Sequence, residues 1–587
     1  MAQTSLYSYE PLFEKHSIRI LSVLPGSGNE LIRCELQKAP LATAEYEALS
    51  YVWGSPEKPC RIQCDGKTLN ITQNLYVALL RLRDRSIAKH LWVDAVCINQ
   101  GDNDERTSQV LMMGQIYSHA KKVLVWLGDA TPDVPQALDL VNHIVDACLQ
   151  HHAMTDKNLD ALDDLKYLSA NVSEALLPEF DKATWLAFRN FYIRPWFSRV
   201  WVVQEVMKAR TAIAICGEFE IEWARVIIPA LWMRREQYLK PKALSICDWE
   251  AFFNAAVMGD KSLLLSSTPT DLLRSFATLA ATDPRDKVYA LAGLTLFEKY
   301  LPIVPDYNAN LSEAYGQVVK LSIQLTKGLD VLSWVRHGRS VPDDFPSWIP
   351  RWDQNGVNFV SAIGHMFFNA SEGLQVRDFD IKGGNTLELR GLIFDRISSI
   401  LPIMKSKWLF NSHLSLELSE ALGRCLSPPE DSKLYPTGEN LFTVFSCVLT
   451  AGLRAELNRV WGEEEAAQHT LSFLSWLRNS LDPRVMIALS EHIYMKGDGD
   501  KELYESLAMP MRDDRRLFYT QRGYIGIGPA ALQIEDEIAV IYGGRVPYVV
   551  RERPCGRQFV GECYVHGIMD GEALRGNEDL TSVISLV

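Results

Sequence analysis

The alternation of short apolar runs with helical patterns is the feature that most constrains the fold of this chain. Apolar runs at residues 48–53, 91–98 and 123–127 are typical of buried strands. Between the last two runs, residues 104–119 carry apolar side chains at helical spacing. This repeated order of strand, helix and strand predicts a parallel sheet with helices on both faces. We therefore expect an α/β fold.

Changes in these patterns divide the 587 residues into several predicted parts. A chain of this length exceeds what one hydrophobic core usually serves. The first residues alternate apolar and polar positions, a pattern that predicts a β-hairpin. The predicted parts are an N-terminal β-hairpin extension (1–45), an α/β domain (46–225) with a helical insertion (130–190), a mostly helical middle region (226–377), and a β-rich C-terminal domain (378–587) with a helical insertion (415–510).

The charge balance argues against several classes of partner. The chain has 60 Lys and Arg against 73 Asp and Glu, a net charge of −13, and no long run of either sign. Binding of nucleic acid or of an anionic membrane needs clustered basic residues, so neither partner is expected. No apolar run reaches the roughly 18 residues of a membrane span, and the first residues lack a secretory pattern. We therefore expect a cytoplasmic protein.

The eleven cysteines are scattered along the chain. An odd number without an export pattern predicts reduced thiols. Cys60 and Cys64 form the only close pair in the sequence, and no second pair or paired histidines accompany them at zinc-finger spacing. Positions i and i+4 share one face of a strand, which is the simpler interpretation. No metal site and no bound cofactor are therefore predicted.

Three blocks of sequence carry a resemblance to a known family. They are YEALSYVWG at residues 46–54, LWVDAVCINQ at 91–100 and RPWFSRVWVVQE at 194–205. In this order they resemble the signature blocks of the fungal heterokaryon-incompatibility (HET domain) proteins. Glu105, Arg106 and residues 109–120, as well as residues 281–291, resemble further segments of the same family. The resemblance implies a role in non-self recognition when fungal cells fuse, with the HET domain triggering programmed cell death.

The HET domain has also been related to TIR domains, so the resemblance implies a TIR/flavodoxin-like parallel sheet. In NAD-cleaving TIR domains a helical glutamate does the chemistry, and a tryptophan stands at the fourth position before it. Trp201 and Glu205 have this spacing on a predicted helix. The resemblance thus implies that Glu205 is the catalytic residue of an NAD glycohydrolase. NAD would be its substrate rather than a cofactor.

Other polar and aromatic residues are expected near Glu205, because parallel sheets bind ligands beyond the carboxyl ends of their strands. Trp53 and Trp201 can stack on an aromatic base, and Asp94 or Asn99 can hydrogen-bond ribose hydroxyls. The candidate ligand-binding residues are Ser50, Tyr51, Trp53, Asp94, Asn99 and Trp201.

Four of these ligand-binding candidates also have a purely structural interpretation. Trp53 and Trp201 can be core residues. Asp94 can cap the loop after its strand, and Asn99 can serve only as a turn residue.

Glu205 itself can pair with Lys208 along the helix surface. The nearby Glu105 begins a helix, where a carboxylate is favoured by the helix dipole, so we expect a structural role for it.

Two other functions are alternatives to NAD cleavage. As in many TIR adaptors, the HET domain can be a non-catalytic signalling module that acts by homotypic assembly. In either case a protein partner or self-assembly through the HET domain is expected. A DNA-binding regulator is disfavoured by the acidic charge balance and by the absence of a basic stripe in the sequence.

Overall fold

The computed structural model divides the chain into two compact units, Met1–Ala314 and Tyr315–Val587. The predicted helical insertions at 130–190 and 415–510 lie partly outside the described residues. The four-part division expected from the sequence stays a prediction. The described residues are 5–12, 14, 16–152, 181–235, 249–260, 263, 268–294, 303–354, 367–404, 422, 435–453, 462–480, 499–512 and 514–587.

The first unit contains a nine-stranded sheet. Its strands are β1 (Ser17–Val23), β2 (Arg33–Pro40), β3 (Glu47–Tyr51), β4 (Cys60–Cys64), β5 (Lys67–Ile71), β6 (Lys89–Trp92), β7 (Val123–Trp126), β8 (Ala212–Cys216) and β9 (Phe219–Glu222). They lie in the order β5-β4-β2-β1-β6-β3-β7-β8-β9. Strand β3 is parallel to β6 and β7, and β7 is parallel to β8.

The sheet as a whole is mixed, so the prediction of a parallel sheet holds for its four central strands and for the pair β2 and β4, but not throughout. Strands β1 and β2 form an antiparallel hairpin, and β1 also pairs antiparallel with β6. At the other edge, β9 pairs antiparallel with β8. A short hairpin connection joins antiparallel strands, whereas a parallel pair needs a longer crossover connection. The hairpins on the two sides of the parallel centre therefore add antiparallel strands.

Helices follow most of the strands in the first unit. The α-helices are Gln73–Leu82, Asp94–Cys97, Asn103–His119, Val134–His151, Lys182–Tyr192, Val202–Met207, Trp223–Arg235, Trp249–Gly259, Pro269–Ser275, Asp286–Ala292 and, at the boundary between the units, Leu311–Thr326. The 3-10 helices are Leu41–Thr43 and Pro195–Ser198. Polar side chains cap the N-termini of several of these helices. For example, the Asp102 carboxylate accepts hydrogen bonds from the backbone N–H groups of Asp104 and Glu105.

The prediction of one strand over residues 91–98 is wrong for the second half of that range. The strand is Lys89–Trp92, and Asp94–Cys97 forms one helical turn. The Asp94 carboxylate accepts a hydrogen bond from the following backbone N–H, and the Gln100 side chain donates to the Asp94 carbonyl. These contacts hold the turn. An apolar run of this length is compatible with both conformations, so periodicity could not distinguish them.

The second unit is rich in β-strands, as predicted for the C-terminal part of the chain. Its strands are β10 (Asp380–Lys382), β11 (Thr386–Ile400), β12 (Arg515–Thr520), β13 (Ile525–Pro529), β14 (Glu537–Ile541), β15 (Tyr548–Arg553), β16 (Gly556–Glu562), β17 (Tyr564–Val565) and β18 (Ser582–Leu586). The long strand β11 pairs with both β14 and β18, and this closes a ring through β15 and β16. Buried side chains such as Leu392, Val540 and Val560 pack in the core of this unit.

The second unit also contains helices. The α-helices are Leu441–Leu449, Gly462–Ser480 and Lys501–Arg512, and the 3-10 helices are Asp330–Trp334 and Glu578–Leu580. Among the described residues of both units, no helix is sufficiently long and apolar to cross a membrane.

Candidate functional site

The carboxylate of Glu205 is at the centre of a buried polar cluster. Glu205 lies on the helix Val202–Met207, directly after the 3-10 helix Pro195–Ser198, and is 2% exposed. The hydroxyl of Ser50, near the end of β3, donates a hydrogen bond to it. That hydroxyl also accepts a hydrogen bond of 2.8 Å from the indole N–H of Trp196. Ser50 thus links a central strand to the segment that carries Glu205.

Burial determines the protonation behaviour of Glu205. Loss of solvation disfavours the charged form and raises the pKa of Glu205 to about 7. The neighbouring Asp94 carboxylate raises this pKa further, whereas the Arg199 guanidinium and the Ser50 hydrogen bond lower it. Protonated and ionised forms are therefore both populated near neutral pH. A buried carboxyl group with such a pKa is typical of functional sites.

Arg199 also belongs to this cluster, although it is not among the candidate residues predicted from the sequence. It is half-buried and donates a hydrogen bond to the backbone carbonyl of Tyr51. Its positive charge lowers the pKa of both Glu205 and Asp94. One arginine therefore compensates part of the charge of two carboxylates. Its place in the third sequence block, between two tryptophans, was the signal that could have identified it.

Trp53 and Asp94 form the outer part of the cluster. The indole N–H of Trp53 donates a hydrogen bond of 2.8 Å to the Asp94 carboxylate. Burial of that carboxylate raises the pKa of Asp94, although part of the residue reaches the surface. Trp53 is 36% exposed, so it is not a core residue. Its ring is accessible beside a partly shielded carboxylate.

Tyr51 is a buried neighbour of Asp94. Its side chain is 2% exposed, and burial raises the pKa of its hydroxyl well above the ordinary range. The hydroxyl lowers the pKa of Asp94, and the charge of Glu205 in turn raises the pKa of Tyr51. The structure thus brings four of the candidate residues together with Glu205. These four residues are Ser50, Tyr51, Trp53 and Asp94.

The other two candidates, Asn99 and Trp201, form their hydrogen bonds with residues outside this cluster. The side-chain oxygen of Asn99 accepts a hydrogen bond of 3.3 Å from the backbone N–H of Gly101, as in a turn. Trp201 is half-buried, and its indole N–H donates a hydrogen bond of 3.0 Å to Asp286. Their predicted contact with a ligand stays a prediction.

Glu105 supports the loop that contains Asn99. Its two carboxylate oxygens accept hydrogen bonds of 2.6 and 2.9 Å from the guanidinium of the buried Arg19. One of them also accepts a hydrogen bond of 2.7 Å from the backbone N–H of Asn99. These contacts fit the structural role that we expected for Glu105.

A cavity of about 230 Å³ lies apart from the Glu205 cluster. Its basic lining residues include Arg81, Lys89 and Lys122. Arg81 pairs with Glu220, while both lysines pair with Glu47. Glu47 and Glu220 therefore offset part of the positive charge, and the lining also includes Arg83 and Asp84. Within the described ranges, no group of three or more His, Cys, Asp or Glu could hold a metal ion.

Two ranges of the chain match described protein families. Residues 46–205 match the family described as "Heterokaryon incompatibility protein (HET)". The chain carries a HET domain. The matched range contains all three sequence blocks and ends at Glu205, so the resemblance stated from the sequence is confirmed. A second range of this HET-domain protein, residues 482–580, matches the "Het-6 beta-barrel domain".

One curated relative is similar over nearly the full length of this HET-domain protein. It is "Heterokaryon incompatibility protein 6, OR allele" of Neurospora crassa, which is 26% identical. The similarity covers 97% of this chain and 98% of the relative. No solved structure matches the HET-domain protein.

Proposed function

We propose that this HET-domain protein acts in heterokaryon incompatibility as a cytoplasmic effector of non-self recognition and programmed cell death. The HET-domain match and the full-length similarity to a heterokaryon incompatibility protein support this role. For the HET domain we further propose NAD cleavage, with Glu205 as the catalytic residue. The observation that carries this proposal is the buried Glu205 carboxylate, which is hydrogen-bonded to Ser50 and has a pKa of about 7.

The chemistry of NAD cleavage suits a buried carboxylate. Breaking the bond between nicotinamide and ribose develops positive charge on the sugar ring, as in glycoside hydrolysis. A fixed negative charge in a site that excludes water stabilises this charge more strongly than one in solvent. The nicotinamide ring is cationic in NAD, so it takes the bonding electron pair and leaves as a neutral molecule without a general acid. Water then forms the new bond to the sugar carbon and releases a proton. The ionised form of Glu205 is therefore the active form in this proposal.

The strand order supports a TIR-like sheet. The four central parallel strands lie in the order β6-β3-β7-β8, which is second, first, third and fourth along the chain among these four. Flavodoxin-like sheets begin with the same order. Ser50 and Tyr51 end the first of these strands, and Asp94 closely follows the second. The cluster thus lies at the carboxyl ends of parallel strands, where such sheets bind ligands.

The outer residues suit the rest of a nucleotide. The exposed ring of Trp53 can stack on an aromatic base. Asp94 can accept hydrogen bonds from ribose hydroxyls, and the Arg199 charge lowers the pKa of Asp94, which favours its ionised form. A related nucleotide would meet the same groups.

The test is NAD consumption by the purified full-length protein and by Glu205→Gln, with and without a crowding agent that promotes assembly. Glu220→Gln is the matched control, because Glu220 is an exposed glutamate of the same unit. We expect turnover in the wild type and in the control, and its loss in Glu205→Gln with an unchanged circular dichroism spectrum.

If the wild type consumes no NAD under any condition, the proposed chemistry is wrong. Killing by both wild type and Glu205→Gln after expression in a fungal host would then favour a non-catalytic module that signals by homotypic assembly. Loss of killing in Glu205→Gln alone, together with loss of turnover, supports the enzymatic proposal.

A further inference from the structure

The helix that carries Glu205 is held by a segment beyond the HET match. This segment, residues 280–293, is the clamp. It begins with backbone pairing: the N–H of Ala280 donates a hydrogen bond of 2.5 Å to the carbonyl of Ser198. The N–H of Val200 donates one of 3.0 Å to the carbonyl of Ala280. The clamp thus runs alongside the residues that lead into the Glu205 helix.

A side-chain contact then fixes the start of that helix. Trp201 is the residue before the first helical turn, and its indole N–H donates a hydrogen bond of 3.0 Å to Asp286. The other carboxylate oxygen of Asp286 accepts a hydrogen bond of 2.9 Å from the hydroxyl of Tyr307. Asp286 therefore holds Trp201 from a position that is itself anchored.

The clamp also contacts the middle of the helix. The side-chain amide of Gln204 donates a hydrogen bond of 3.3 Å to the carbonyl of Tyr289. At Gly293, a Cβ atom would lie 2.6 Å from the side-chain oxygen of Gln204. Because Gln204 is 1% exposed and has little room to move, glycine is the residue that allows this approach. Gln204 directly precedes Glu205.

These contacts matter because the helix Val202–Met207 has only six residues. Isolated helices of that length are not stable in water, so tertiary contacts must determine the position of this one. Ser50 fixes the Glu205 side chain, and the clamp fixes the backbone on which that side chain is mounted.

We propose that Asp286 is a positioning residue for the Glu205 site and that the functional HET unit of this chain extends through the clamp. Asp286 holds Trp201, and Trp201 sets the start of the helix so that Glu205 meets Ser50. The catalytic consequence rests on the function proposed above, whereas the positional consequence does not.

The first measurement is steady-state NAD cleavage by full-length Asp286→Ala, Asp286→Asn and Trp201→Phe. We expect Asp286→Ala to lower kcat roughly 10- to 100-fold with little change in KM, since misplaced catalytic groups cost rates of this order. Asp286→Asn keeps an oxygen that can accept from Trp201 and should recover part of kcat. The double variant Asp286→Ala with Trp201→Phe should be no slower than the slower single variant.

Asp181→Ala is the matched control. Asp181 caps the helix Lys182–Tyr192 in the same unit, so its loss removes a comparable structural hydrogen bond away from the clamp. We expect kcat in this control to stay close to that of the wild type. Equal losses of kcat in Asp181→Ala and Asp286→Ala would overturn the proposal, because they would indicate a general loss of folding.

The second measurement needs no turnover. Hydrogen exchange of peptides that cover residues 198–207 should be faster in Asp286→Ala than in the wild type and in Asp181→Ala. Unchanged exchange in Asp286→Ala overturns the proposal, whatever the enzyme assay shows. If the wild type cleaves no NAD but exchange at residues 198–207 rises as expected, the NAD chemistry fails and the positional role of Asp286 stands.

Discussion

Ser50 donates a hydrogen bond to Glu205, although 155 positions separate the two residues in the chain. The contact joins the end of a central strand to a short helix at the end of the HET match. Both residues are buried, Ser50 fully and Glu205 to within 2% of its surface. The contact therefore connects the stability of the HET domain to the protonation state of its candidate catalytic group.

Removing the Ser50 hydroxyl should deprive two buried side chains of a hydrogen-bond partner. In Ser50→Ala, Glu205 loses a donor and the indole N–H of Trp196 loses an acceptor. We expect the pKa of Glu205 to rise and the free energy of unfolding to fall by about 1–3 kcal/mol, the usual cost of unsatisfied buried groups. Urea unfolding measures the loss. Ser118→Ala, on an exposed helix surface, should change little, and equal stabilities of the two variants would contradict this prediction.

Glu205 should make stability depend on pH. Its pKa is about 7 in the folded protein against an ordinary value of 4.5, so folding favours the protonated form. Its contribution is fully present below pH 4.5 and is lost as the pH rises through 7. The wild type should therefore lose about 3 kcal/mol relative to Glu205→Gln between these limits.

Urea unfolding of both proteins from pH 4.5 to pH 8 measures this difference. Other buried carboxyl groups are present in both proteins and largely cancel. A constant difference across this pH range would show that Glu205 titrates normally in the folded state.

Loss of Arg199 should move the pH profile of NAD cleavage. Its charge lowers the pKa of both Glu205 and Asp94, so Arg199→Met should raise both values. Because the ionised form of Glu205 is the proposed active form, half-maximal kcat should shift to higher pH. Arg199→Lys retains a positive charge and should shift less. A profile that stays in place while activity falls would assign Arg199 a purely structural role.

The Trp53 ring should contribute to substrate binding more than its N–H group does. Trp53 is 36% exposed beside Asp94, and aromatic rings in such positions can stack on a base. We expect Trp53→Ala to raise KM for NAD and Trp53→Phe, which keeps a ring, to raise it less. Ile87→Ala, another exposed apolar residue of this unit, should leave KM unchanged. Equal KM values in all three variants would exclude stacking on Trp53.

The second unit should depend on one buried ion pair. Arg551 donates hydrogen bonds of 2.7 and 2.9 Å to the two carboxylate oxygens of Asp536, and both side chains are buried. Asp536→Ala leaves the arginine charge buried without this partner, which typically costs about 3–5 kcal/mol.

The control is a variant of an exposed ion pair in the same unit. Glu552→Ala removes a partner of Arg396 at the surface of the same unit and should cost at most about 1 kcal/mol. Thermal unfolding monitored by circular dichroism compares the two variants. Similar melting temperatures would mean that the Arg551–Asp536 pair contributes no more than a surface contact.

Much of the local structure follows from residue order alone. Periodicity predicts the α/β class, the strand at residues 48–53 and the helix at 104–119, because the side-chain spacing of a strand or helix is a local property. The three blocks then identify the HET domain. The same reasoning places Glu205 on a helix and Ser50 at a strand end, as the structure has them.

Local sequence patterns do not predict the structure where two backbone conformations bury the same residues. The run at residues 91–98 was predicted as one strand, but its second half is a helical turn closed by polar contacts of Asp94. Likewise, the sheet is mixed rather than parallel throughout, because hairpins add antiparallel strands on both sides of its parallel centre. Neither feature leaves a distinct mark in apolar spacing.

The partners of the site residues were decided by the tertiary structure. That Glu205 turns inward to Ser50, that Arg199 lies beside two carboxylates, and that Trp201 binds Asp286 all depend on segments far apart in the chain. A residue type states which bonds a side chain can make, but the folded backbone determines which groups lie within reach. The pKa of Glu205 depends on the same fact, because only packing removes its water.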